Sequence, residues 1–428
     1  MPSRTQKQPA PKPAQFAYNT QAYFRQQRHR IMKISTQFDA GSIIVRDLAN
    51  PEHIRLALRP DNASHFKQWF YFRLQGAAYT PCRMHIEDAH ESAYPEGWDN
   101  YQAVASYDRQ NWFRVPTHYE NGELVITHTP LSNSIYYAYF EPYSHEQHLN
   151  LLGEAQGSGL CQIDDLGSTV QGRDINLLTI GNQVDSDLKI WVIARQHPGE
   201  TMAEWFMEGF LSRLLDYQDP TARSLLDKAT FYLVPNMNPD GAFLGNLRTN
   251  AAGANLNREW LSPTPEHSPE VYFVREKMHE TGVDIFLDIH GDESIPYIFV
   301  AGTEGVPHYS ERTAQLEMQF KAALQAASPD FQDTHGYVKD APGQADLSLA
   351  TNYVGNTFRC LAYTLEMPFK DNDNLPDDDF GWNGQRSLRL GESMLTALLS
   401  VCRTLHREKN RGITPHHKVQ AAFQSAGK

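Results

Sequence analysis

The sequence is poor in the features that would mark several large function classes. Its 428 residues include four cysteines, Cys82, Cys161, Cys360 and Cys402, widely scattered and without a CxxC pair. Neither a disulfide framework nor a thiolate metal site is indicated, and a reducing compartment, the cytoplasm, is expected. No run of eighteen apolar residues occurs, and the N-terminus has no apolar stretch to serve as the core of a signal peptide. Neither a membrane span nor export is therefore expected. Positive charge is short: 38 Lys and Arg against 51 Asp and Glu give a formal charge of −13, which argues against a general nucleic-acid or anionic-membrane binder. Walker A, GxGxxG and GxSxG signatures are missing, so nucleotide and serine-hydrolase readings have no support.

What is present is an ordinary globular composition, 40% hydrophobic and 21% charged, in a chain long enough for two domains. The charge is uneven. Residues 1–31 carry six basic residues and no acid among Pro, Gln and Ala, and read as a disordered basic extension. Residues 406–428 carry five basic residues and one acid and read as a polar basic tail. Setting aside the +6 and +4 of these ends leaves −23 for residues 32–405.

From Gly41 to about Phe140, apolar residues recur at period two or in short runs, as in Ile54-Arg-Leu56-Ala-Leu58 and Trp69-Phe-Tyr-Phe72. Turn signals such as Pro60-Asp-Asn-Ala-Ser64 separate them, which predicts an antiparallel β-sandwich domain over 38–155. Gly153 to Gly159, with three glycines, is taken as a boundary. Beyond it strands alternate with helical patterns. Strands are expected at 188–195, 231–234, 283–289, 297–300 and 361–365, and helices near 268–281, 310–327 and 385–404. This is an α/β domain over 160–405 with a mixed, largely parallel sheet, whose site is expected at the carboxyl ends of the strands.

Three strand ends carry chemistry. His197-Pro-Gly-Glu200 follows the first buried strand directly, and a His and a carboxylate on one turn can both face a Zn²⁺. The same spacing recurs at His267/Glu270 and His308/Glu311, where polar, Pro-bearing surroundings favour a solvated face. His290 ends the strand 283–289 before a Gly; alone it reads equally well as a buried core histidine. With His197 and Glu200 it completes His₂Glu, the ligand set of one catalytic zinc. Asp288 is placed on the opposite face of that strand, as a structural or supporting group. Glu366 ends Leu361–Leu365 and suits a general base and acid beside a metal, the alternative being a salt-bridged strand end. The Asn- and Gly-rich stretch 236–260 contains just two arginines. Arg258 beside Asn257 can grip a carboxylate and Arg248 can stabilise an oxyanion, unless the stretch is an ordinary solvated loop.

In this order the motifs resemble the M14 zinc carboxypeptidases: Leu166-Gly-Ser-Thr-Val-Gln-Gly-Arg173, HPGE, NPDG, the Arg248 loop, LNR, the strand ending at His290, and YTLE at Glu366. The segments Gln68–Phe72 and Ile135–Tyr143 are similar to the β domain of the cytosolic carboxypeptidase branch, so the chain resembles a short, bacterial-type member over about residues 38–405. The resemblance implies zinc on His197, Glu200 and His290, Glu366 as general base and acid, Arg248 on the oxyanion, and Asn257 with Arg258 on the C-terminal carboxylate of a peptide or protein substrate. It also implies an active-site tyrosine before the catalytic Glu. Tyr337 and Tyr353 qualify while Tyr363 falls inside the last strand, and Tyr353 is taken as the candidate.

The branch further implies removal of glutamate, for which Arg359 or Lys339 would supply a basic pocket residue. A zinc amidohydrolase of the succinylglutamate desuccinylase or aspartoacylase type and a non-catalytic binding module on the same fold are the alternatives. Asp377-Asp-Asp379 reads as a solvated acidic loop rather than a Ca²⁺ site.

Overall fold

The structure, a computed structural model, describes residues 32–181 and 188–410. The basic extension 1–31 and most of the C-terminal tail, 411–428, lie outside the described residues.

The first domain runs through β1 (Lys33–Ser35), β2 (Ile44–Asp47), β3 (Ile54–Ala57), β4 (Tyr71–Gln75), β5 (Cys82–Ile86), β6 (Val104–Ser106), β7 (Trp112–Arg114), β8 (Thr117–Glu120), β9 (Glu123–His128) and β10 (Ser134–Ala138). They form two five-stranded sheets, β1-β4-β10-β6-β7 and β2-β3-β5-β9-β8. The period-two pattern read in the sequence is the buried face of these strands: Ile54, Leu56, Met84 and Ile126 of one sheet share a core with Phe72, Leu74, Ile135 and Tyr137 of the other. The pairing is antiparallel except between β3 and β5, which run parallel.

The second domain follows as α1 (His145–Gly157), β11 (Cys161–Ser168), β12 (Asp174–Ile180), β13 (Leu188–Ala194), α2 (Met202–Leu214), α3 (Pro220–Leu226), β14 (Ala229–Val234), α4 (Pro239–Leu244), α5 (Pro269–Thr281), β15 (Ile285–Asp292), β16 (Phe299–Ala301), α6 (Glu311–Ala327), α7 (Ala350–Phe358), β17 (Leu361–Pro368) and α8 (Gly384–Asn410). Its seven-stranded sheet has the order β11-β12-β14-β13-β15-β17-β16. The four central strands are parallel and the outer pairings antiparallel. The central strands are buried on both faces, which is why they read as continuous apolar runs rather than alternating ones. Ile190, Val192 and Ala194 of β13 pack with α2 and α8, while Trp191 and Ile193 pack on the opposite face with α5 and α7. Burial of each large apolar side chain there contributes about 1.5–3 kcal/mol. Helices α2 and α8 approach through glycine: a Cβ on Gly209 would lie 1.9 Å from Leu388 O, and one on Gly391 2.1 Å from Phe206 O.

Two expectations change. The stretch from Gly153 belongs mostly to a helix, because Ser144 and Gln147 form a capping box that starts α1 at His145, and a Cβ at Gly153 or Gly157 would point into open space, so neither glycine marks a close approach or a turn. The segment from His406 continues α8 through Asn410, with Leu405 still packed on the core. Among the described residues no helix is long and apolar enough to cross a membrane.

Candidate active site

The carboxyl ends of β13, β15 and β17 open into a cavity of about 550 Å³. His197, Glu200, His290, Arg248, Asn257, Arg258 and Glu366 all line it. Each arrives by a local device. At the end of β13 the chain turns at Arg195, a buried arginine in left-handed backbone (φ 58°). Such a conformation costs a non-glycine residue about 1–3 kcal/mol, and the Arg195 side chain offsets it by donating to Tyr143 O and Pro198 O, both at 3.0 Å, and to Glu204. The turn that follows aims His197 and Glu200 into the cavity. In the β15–β17 register, His290 pairs with Glu366.

The donor atoms of His197, Glu200 and His290 lie within 4.8 Å of one another, the sole such group of three among the described residues. His197 Nδ1 is 2.6 Å from Glu200 Oε1, and His290 Nδ1 is 2.7 Å from Glu200 Oε2. The far nitrogens are held from behind, His197 Nε2 by Asn255 Oδ1 at 3.1 Å and His290 Nε2 by Asp288 Oδ2 at 2.9 Å. Outer partners of this kind fix the ring orientation and tautomer of metal-binding histidines. The expectation that Asp288 faces away is corrected: residues two apart in a strand share a face. Gln196 in turn donates to Asp288 at 2.7 Å and accepts from Trp260 Nε1 at 2.8 Å.

Electrostatics match a cation at this point. Burial, reinforced by Arg248, pushes His197 down to about 3, so its imidazole is neutral and its lone pair available. Burial opposes ionisation of Glu200, yet His197 and His290 hold it below the usual carboxylate range. His290 is held above its ordinary value against burial because Asp288 and Glu200 flank it. The carboxylates around it favour positive charge there, and a dication on the three donors satisfies the same demand. The residues therefore fit zinc.

Glu366 is buried, with Oε1 3.1 Å from the Tyr337 hydroxyl and Oε2 without a protein partner. Burial, with Glu200 and Asp292 adding to it, raises its pKa well above the carboxylate range, while His290 opposes the rise. Asn257 Oδ1 accepts from Ala350 N at 2.8 Å, which leaves its amide N–H groups for a ligand. Arg258 Nη1 donates to Asn257 O at 2.7 Å. The Arg248 guanidinium lies over the rings of Tyr94 and Phe66, 5.3 and 5.8 Å from their centroids.

Tyr353 is displaced from the role expected of it. It lies on α7 outside the cavity lining, its hydroxyl 3.0 Å from His279 and its ring against Trp260. Tyr337 lines the cavity instead, with its hydroxyl 2.7 Å from Asp292. Of the two basic residues weighed for the pocket, Lys339 lines it and Arg359 caps the end of α7. Lys321 lines it too and was not anticipated. Among the other His-x-x-Glu pairs, His308 and Glu311 are exposed as expected, but Glu270 is fully buried and accepts from Asn250 at 3.1 Å. Sequence reasoning also passed over Asp292, Tyr94 and Asp61; for the last two, a turn motif and an aromatic in the other domain carry no signal of a site far along the chain.

Comparison with known proteins agrees with this architecture. Residues 34–140 match the cytosolic carboxypeptidase N-terminal domain and residues 146–385 the zinc carboxypeptidase domain of the M14 peptidases. A metallo-carboxypeptidase structure from Burkholderia cenocepacia is 53% identical, covering 87% of this chain and 100% of that one with a TM-score of 0.85. One from Pseudomonas aeruginosa, in complex with (2-guanidinoethylmercapto)succinic acid, is 52% identical with the same coverage and TM-score. Cytosolic carboxypeptidase 6 of Caenorhabditis elegans is 25% identical, over 78% of this chain and 77% of its own length. The chain belongs to the M14 zinc carboxypeptidase family, in its cytosolic carboxypeptidase branch, and is a metallocarboxypeptidase.

Proposed function

We propose that His197, Glu200 and His290 hold one Zn²⁺ per chain and that Glu366 is the general base and acid for hydrolysis of the last peptide bond of a peptide or protein. The observation that carries this reading is the three-donor cluster with Glu366 one strand away, its Oε2 buried and without a partner. Zinc held there supplies Lewis-acid chemistry, lowering the pKa of a water and polarising a carbonyl. Glu366 takes the proton of the attacking water and later delivers it to the leaving amine. Arg248 donates to the carbonyl oxygen as negative charge develops on it. Arg258 and the Asn257 amide bind the free α-carboxylate, so that cleavage stops at one residue from the end. Tyr337, not Tyr353, is the tyrosine at the reacting centre.

For the side chain of the departing residue we propose glutamate. Lys321 and Lys339 line the cavity, paired with Asp333 and Glu304, and a substrate carboxylate would compete for these ammonium groups. The place of action is the cytoplasm, in keeping with four free cysteines. The test is zinc content together with release of C-terminal residues from peptides ending in Glu, Lys and Phe. About one zinc per chain and preferred release of Glu are expected. No zinc after careful purification would remove the metalloenzyme reading, and preference for Lys or Phe would remove the glutamate reading alone.

A further inference from the structure

The stretch containing Arg248 is held mainly by the other domain. The turn that follows β3 and Arg59 places Asp61 against it, buried and accepting from Leu247 N at 2.6 Å, Arg248 N at 2.8 Å, Thr249 N at 2.8 Å and the Thr249 hydroxyl at 3.0 Å. Three consecutive amides converging on one carboxylate fix the backbone on both sides of Arg248. Neighbouring groups extend the grip: Asn62 and Asn246 exchange hydrogen bonds, and Asn62 Nδ2 donates to Ala251 O at 2.6 Å. Gly253, at φ +83°, lies so close to this turn that a Cβ would come within 2.3 Å of Ala63 O.

The side chain of Arg248 is held from the same domain, over the faces of Tyr94 and Phe66. Tyr94 is in turn pinned through its backbone by Gln68, a buried residue whose Oε1 accepts from Tyr94 N at 2.8 Å and whose Nε2 donates to Tyr94 O at 3.0 Å. The grip reaches the metal turn as well, because Leu247, whose N–H goes to Asp61, accepts at its carbonyl from Gly199 N at 2.9 Å.

We propose that Asp61 and Tyr94 are positioning residues for Arg248, so that the β domain completes the oxyanion subsite instead of only adjoining it. The inference rests on the reading of Arg248 as the oxyanion group. Neither residue needs to touch substrate: Asp61 sets the main chain and Tyr94 sets the direction of the guanidinium. A misplacement of about 1 Å at such a group costs on the order of a hundredfold in rate, and loss of an oxyanion donor costs about 10²–10³ in kcat.

The test uses the full-length, zinc-loaded chain and compares Asp61→Ala, Tyr94→Leu and Arg248→Ala, alone and combined, on one peptide substrate. Lys370→Met serves as the control. It removes another contact between the domains, Lys370 Nζ to Asp99 O at 2.8 Å, away from Arg248. Asp61→Ala and Tyr94→Leu are expected to lower kcat by about tenfold or more with KM nearly unchanged, and to lower it no further once Arg248 is Ala. Lys370→Met is expected to lower thermal stability and keep kcat. Amide hydrogen exchange at 247–249, which needs no activity, is expected to accelerate in Asp61→Ala and not in Lys370→Met. Retained kcat in Tyr94→Leu, or losses that multiply with that of Arg248→Ala, would overturn the proposal while the Arg248 reading stands. Full kcat in Arg248→Ala would overturn both. Should Asp61→Ala fail to fold, Tyr94→Leu decides alone.

Discussion

The Tyr337 hydroxyl sits between two carboxylates, 3.1 Å from Glu366 Oε1 and 2.7 Å from Asp292 Oδ2. Its hydrogen bond opposes the upward shift that burial imposes on Glu366. Tyr337→Phe removes that opposition, so the Glu366 pKa rises further and the base is lost at a higher pH. The acid limb of the kcat/KM profile is therefore expected to move to higher pH in Tyr337→Phe. An unmoved limb would detach this tyrosine from Glu366. Tyr353→Phe, which alters only the contact with His279, is expected to leave the profile in place.

Glu366→Gln keeps the size of the side chain and removes its capacity to accept a proton. A fall in kcat of about 10²–10⁴-fold is expected, with zinc stoichiometry by elemental analysis equal to that of the unsubstituted chain. Loss of zinc along with activity would instead make Glu366 part of the metal site.

Arg258→Ala is expected to act on substrate binding. A charge-assisted bond to a carboxylate contributes about 1.5–3 kcal/mol, so KM for peptides with a free C-terminus should rise about ten- to hundredfold, with a smaller change in kcat. Peptides with an amidated C-terminus should be insensitive to the substitution. Equal effects on both would take the α-carboxylate away from Arg258.

Glu270 lies outside the cavity and bears on stability. Burial pushes its pKa from 4.5 up to about 7, and its Oε1 has no partner. Between those values the folded chain binds the proton that the unfolded chain has released, so stability falls as pH rises from about 4.5 to 7 and the cost is complete above 7. That cost is at most about 3.5 kcal/mol. Glu270→Gln keeps an acceptor for Asn250 and carries no charge. It is expected to be more stable than the parent at pH 8, with the difference shrinking toward pH 4.5 in denaturant titrations. A parent chain whose stability equals that of Glu270→Gln at pH 8 would mean that the carboxylate is satisfied in the fold.

Much of the site was legible because strands and helices are local. Buried strands read as apolar runs, and polar residues ending them, His197, His290 and Glu366, stand out against that background. Helix α1 was missed because its capping box lies before a glycine-bearing segment that resembles a linker. Asp288 and His290 are two apart in β15 and so share a face, a relationship that strand alternation alone carries. Glu270 was misjudged because polar neighbours in sequence do not report burial, which here comes from packing beside Asn250.

The sequence by itself determined which polar residue types end the buried strands and their order along the chain, since these follow from periods of two and 3.6 residues and from side-chain chemistry. Tertiary structure decided what depends on contacts between distant segments. The β15–β17 register set His290 beside Glu366, the chain before α7 brought Tyr337 and not Tyr353 to the cavity, and packing of the β domain placed Asp61 and Tyr94 on Arg248. Register and domain docking are chosen by summed burial and hydrogen bonding over the whole interface, and no short stretch of residues carries that sum.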